Sequence, residues 1–70
     1  MLLTESQNNM ITEAVNLLEQ IDTMVDTQDI NDPSVQPKFH ELLGKYGSLV
    51  ESIESTGSYA SEVLNERLNG

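Results

Sequence analysis

The sequence predicts an all-α fold: one small domain, residues 1–70, built as an antiparallel helical hairpin. Three observations predict it. Apolar residues recur at spacings of three and four rather than two. A capping box, TESQ at positions 4–7, stands at the start of the first apolar series. A single Pro-containing break, INDPSVQP at 30–37, separates that series from a second one.

Helix 1 is expected over about residues 4–28, with Thr4 as N-cap and Gln7 at N3. Ile11, Leu18 and Val25 share one seam position of a heptad, and Ala14 and Ile21 share the other. Met10, Leu17 and Met24 widen this stripe on one side, Val15 on the other. At 1.5 Å per residue the helix runs for roughly 37 Å. In the break, Asp32-Pro33 and Gln36-Pro37 push the residue before each proline out of the helical region, and Pro37 suits a first helical turn. About eight connecting residues fit two antiparallel neighbours.

Helix 2 is expected over about residues 37–68. Phe39, Leu42, Leu43, Tyr46, Leu49, Val50, Ile53, Ala60, Val63 and Leu64 form its apolar series. The spacing stays in phase across ESTGSY (54–59), which favours one continuous helix. Gly57 and its Ser/Thr neighbours are poor helix formers, so a kink or a break into a short third helix near Gly57 is the alternative. Gly44 and Gly47 lie off the seam, where they give flexibility or close backbone approach. A hairpin alone leaves two wide apolar stripes partly bare, and 70 residues bury only about 60% of their unfolded surface. A homodimer forming a four-helix bundle is therefore the expected assembly. A three-helix monomer broken at Gly57 comes second.

The formal charge is −9, from twelve acids against three bases. Such a chain is unsuited to nucleic-acid phosphate or to anionic membrane, both of which need Lys and Arg. A basic protein surface is the complementary partner; plain solubility is the competing explanation. There is no Cys, so neither disulfides nor thiolate metal sites are expected. MLLTESQ lacks the basic and apolar regions of a signal peptide, and no stretch approaches the roughly 20 apolar residues of a bilayer span. A cytoplasmic protein is expected.

Catalytic and metal-binding patterns are absent. His40, the single His, flanks the apolar stripe beside Phe39 and reads as a surface residue. DTQDINDPS has Asp and Asn recurring, but a calcium loop begun at Asp29 would put Pro33 at position 5, Ser34 where Gly is required and His40 in place of the closing Glu. Phosphate-binding glycine motifs are missing, and a hairpin offers no cleft for a carboxylate pair. The reading is a non-enzyme with no cofactor and no metal.

The distinctive feature is EQIDTMVDTQDIND (19–32). It holds Glu19, Asp22, Asp26, Asp29 and Asp32 and no base. Glu19, Asp22, Asp26 and Asp29, spaced three, four and three, are expected on one face of helix 1 beside the seam. Like-charge neighbours cost about 0.2–0.5 kcal/mol each, and acids near a helix C-terminus oppose its dipole. Lys38 and Lys45, seven residues apart at the start of helix 2, are placed to reach Asp22, Asp26 or Asp29 across the hairpin. They leave acids over, which either meet only water or present a carboxylate array to a basic partner. Glu13, Glu51 and Glu54, with Glu62 and Glu66, would extend that array. A second possibility is a structural or adaptor module, antitoxin- or chaperone-like roles included. It would take a partner helix against an apolar groove of Met10, Leu17, Met24 and Leu64.

In its size, lack of Cys, acidity and helical pattern, with the run Glu19, Asp22, Asp26, Asp29 and Asp32, the chain resembles the small acidic DNA-mimic proteins of phages. That group includes the phage inhibitor of the bacterial nucleoid protein HU. The resemblance covers the whole chain but rests on no sequence motif, and here the acids are interspersed with Ser, Thr and Asn. It implies an inhibitor acting in the host cytoplasm, whose carboxylates occupy the DNA-binding surface of a basic protein such as HU.

Overall fold

A computed structural model describes residues 2–69, which form three helices: α1 Glu5–Thr27, α2 Gln36–Ser55 and α3 Ser58–Asn69. No strand occurs among the described residues. Helix α1 starts at the capping box. Thr4 Oγ1 accepts from the Gln7 backbone N–H at 3.0 Å, and Gln7 Oε1 accepts from the Thr4 N–H at 2.9 Å. It stops where Gln28 turns extended (φ −133°, ψ 155°).

The connection is organised by its two aspartates. Asp29 Oδ1 accepts from the Asn31 N–H at 3.0 Å, and Asp32 Oδ1 accepts from both the N–H and the hydroxyl of Ser34 at 2.9 Å. These are Asx turns, in which a short carboxylate replaces a backbone acceptor. The Asp32 carbonyl then accepts from the N–H groups of Val35 (2.9 Å) and Gln36 (3.1 Å), leading into α2. Pro37 lies in the first turn of α2, which has no side-chain cap.

The continuous second helix favoured by the apolar phase is not formed; the chain breaks between Ser55 and Ser58. Gly57 has φ +134°, a backbone region that side chains other than glycine's rarely occupy. Gln7 Nε2 donates to Thr56 Oγ1 at 3.2 Å, so the end of α2 lies level with the start of α1. A straight continuation would carry Ala60 and Leu64 past α1 into solvent. Turning at Gly57 lays them on Ile11 and Ala14 instead. Near the other end of α3, Arg67 Nη1 donates to Thr12 Oγ1 at 3.3 Å, confirming that α3 folds back along α1.

The core has two parts. At the end where the helices begin and end, Ile11, Ala14, Ile53, Ala60 and Leu64 join all three helices. Towards the α1–α2 connection, Leu17, Ile21, Met24 and Leu42 join α1 and α2 alone. Tyr46 and Leu49 touch both parts. The seam expected on α1 is rotated: Leu17 and Met24 are buried, while Leu18 is half-buried and Val25 is exposed. A helix of 3.6 residues per turn drifts about 20° per heptad against a 3.5-residue repeat. That drift is too small to expose Val25: Ile11, on the same line, is covered by α3, whereas at the level of Val25 only α2 packs on α1, against Leu17, Ile21 and Met24. The homodimeric four-helix bundle is a matter of association between chains; within one chain, α3 supplies part of the cover the hairpin lacks.

Candidate protein-binding face

The eight acids expected to bind a partner do not form one array. Glu19, Asp22 and Asp26 are exposed along one face of α1. Asp29 is not on that face, because α1 ends at Thr27; with Asp32 it belongs to the turns. Glu13 stands nine residues from Asp22, about 180° around the helix. It lines an open recess of about 570 Å³ together with Lys45, Ser48 and Leu49. Glu51 and Glu54 are exposed on α2.

The lysines do not cross the hairpin to the acidic face. Lys45 Nζ lies 3.3 Å from Glu41 Oε1 and Lys38 Nζ lies 4.0 Å from Glu41 Oε2, both within α2. The geometry explains this. Lys45 shares the recess with Glu13, and on α1 Glu13 faces away from Asp22. Lys38 stands a heptad before Lys45, on the same side of α2. Among the described residues, none of Glu19, Asp22 or Asp26 forms an ion pair. The acidic face is therefore more bare than the sequence led us to expect.

Local chemistry on α1 adds to that. Thr23 Oγ1 donates to the Glu19 carbonyl at 2.9 Å and Thr27 Oγ1 to the Thr23 carbonyl at 2.7 Å, so both hydroxyls turn back onto the helix. The last turn of α1 contains no basic residue to meet the negative end of the dipole. Packing of Ile21 and Met24 holds this segment in place.

The titration of Asp32 is displaced downward. The N–H and then the hydroxyl of Ser34 hold its carboxyl below the ordinary carboxylate value, since both bonds favour the charged form. His40 is exposed beside Phe39, their ring centroids 6.2 Å apart. Among the described residues no three His, Asp or Glu side chains converge as a metal site, and no helix is long and apolar enough to cross a membrane.

The apolar groove expected of Met10, Leu17, Met24 and Leu64 is not open. Leu17, Met24 and Leu64 are buried in the chain's own core, and Met10 packs half-buried against it. Sequence reasoning missed a different apolar surface. Val25 is 47% exposed and Leu43 is 42% exposed. Both were assigned to buried stripes, and the short reach of α3 leaves them at the surface. Comparison with protein-family models, with curated proteins and with solved structures finds no match.

Proposed function

We propose that the chain is a non-enzymatic acidic binding module. Its Glu19–Asp22–Asp26 face occupies the basic surface of a DNA-binding protein and keeps DNA off it. The observation that carries this reading is the placement of the cations. The two lysines nearest in sequence lie beside Glu41 on α2, and among the described residues no cation pairs with Glu19, Asp22 or Asp26. Carboxylates at positions 19, 22 and 26 follow one another about every 5 Å along the helix axis. Phosphates along a DNA strand recur about every 3.4 Å. Asp29 and Asp32 continue the negative surface around the adjoining turn. A nucleoid protein such as HU is the partner class the phage DNA-mimic resemblance implies. The proposed binding unit is the three-helix monomer, acting in the cytoplasm, in place of the homodimer expected from the apolar stripes.

The test is competition with DNA for a purified nucleoid protein at low and high salt. The expected result is displacement of DNA that weakens steeply with salt. It is lost when Glu19→Gln, Asp22→Asn and Asp26→Asn are combined. Absence of binding at low salt, or full binding by the triple variant, would refute the proposal.

A further inference from the structure

We infer that the open side of the α1–α2 hairpin, next to the acidic face, is a groove for a basic amphipathic helix of the partner. The inference rests on the acidic-module reading above and adds to it the shape of what binds.

Helix α3 covers only part of the side it packs on. The three-helix core reaches Val15, while α1 continues to Thr27, about 18 Å further. Along that uncovered length α1 presents Leu18 and Val25, a heptad apart and within about 80° of Val15, which packs against the three-helix core. On α2, Val50 packs against the same core. Leu43, one heptad earlier and so about 20° away, is exposed. Leu18, Val25 and Leu43 thus continue, beyond the end of α3, the apolar surface that α3 covers lower down.

Gly47 lies beside Leu43 on α2, with nothing within 4 Å of where its Cβ would stand. A backbone can therefore approach closely there. The α1 rim of the groove is Glu19, Asp22 and Asp26, which have no cationic partner among the described residues. An occupant must bring apolar residues at i, i+3/i+4 and i+7, and Lys or Arg along one flank. The vacant length accommodates about 12 helical residues. A second copy of this chain is the wrong occupant. It would bring the same acids against these, and it carries only three bases, two of them paired with Glu41.

The probe is a synthetic amphipathic Leu/Lys helix of about 12 residues, compared with a peptide of the same composition in scrambled order. Titration of the unsubstituted chain should shift the methyl resonances of Leu18, Val25 and Leu43 and leave those of Ala60 and Leu64 unmoved. The amphipathic peptide should bind about tenfold or more tightly than the scrambled one. Val25→Ser with Leu43→Ser should abolish that preference and leave the salt dependence in place. Equal binding of both peptides, indifferent to Val25→Ser and Leu43→Ser but lost in the Glu19→Gln, Asp22→Asn, Asp26→Asn variant, overturns the groove and keeps the acidic module. Binding unaffected by the acid substitutions as well overturns both. A chain that sediments alone as a dimer, and becomes monomeric on Val25→Ser with Leu43→Ser, makes the surface a self-interface and overturns the groove. Methyl shifts read on the unsubstituted chain decide the matter even where a variant loses its helix signal.

Discussion

Asp32 accepts two hydrogen bonds from Ser34, one from the backbone N–H and one from the hydroxyl, and both favour the ionised carboxyl. A depressed folded pKa contributes stability that is complete above the unfolded carboxylate pKa. It disappears as pH falls through the lowered folded value. Ser34→Ala removes the hydroxyl bond and leaves the N–H. The Asp32 carboxyl should then titrate closer to its ordinary value, as read by NMR, and the chain should lose less stability on acidification. Gly44 and Gly47 make the opposite kind of point. Both sit inside α2 with open space where a Cβ would go. Gly44→Ala should raise stability by about 0.5–1 kcal/mol, measured by urea unfolding. Thr4 and Gln7 were legible from TESQ because a capping box is a local pattern with a fixed spacing. The work of Asp29 and Asp32 was not, because a carboxylate in an acidic run gives no sign of whether it faces solvent or ties a turn.

At the scale of the elements, Gly57 decides whether the second half of the chain is one helix or two. Its φ of +134° is strained for any residue with a Cβ, though there is room for one. Gly57→Ala should destabilise the chain by about 1–3 kcal/mol. The loss should appear as reduced protection of α3 amides in hydrogen exchange. Ile53, wholly buried where the three helices meet, should cost about 2–5 kcal/mol as Ala. That is a large part of the total for a small domain. Helix existence and the Pro-bounded connection were readable because they rest on periodicity and local chemistry. The break at Thr56-Gly57 was read only as the alternative, since the apolar residues of α3 happen to stay in phase with those of α2. The burial of Leu17 and Met24 in place of Val25 was hidden for a related reason. Which side of α1 is covered at each level depends on where α3 ends, and no pattern on α1 itself records that.

For the whole molecule, the arrangement of charge sets stability against binding. Asp22 and Asp26 stand four apart, near the negative end of α1, without a cation among the described residues. Asp22→Asn with Asp26→Asn should stabilise the free chain by roughly 0.5–1 kcal/mol at low salt, and less at high salt. The same pair should weaken association with a basic partner. Calorimetry of the free chain alongside the binding titration checks that the two effects have opposite signs. The acidic run was legible in the sequence; its lack of partners was not, because the side of α2 that carries Lys38 and Lys45 depends on how the two helices are rolled against each other. The hydrogen bond of Arg67 with Thr12 joins α3 to α1 across 55 residues. The α1–α2 connection, by contrast, closes through bonds between near neighbours. Loop closure is cheaper over the shorter span. The hairpin is thus the natural first product of folding and α3 the last part to dock. Native-state amide exchange should then find α3 opening below the global unfolding free energy, as a cooperative unit of its own.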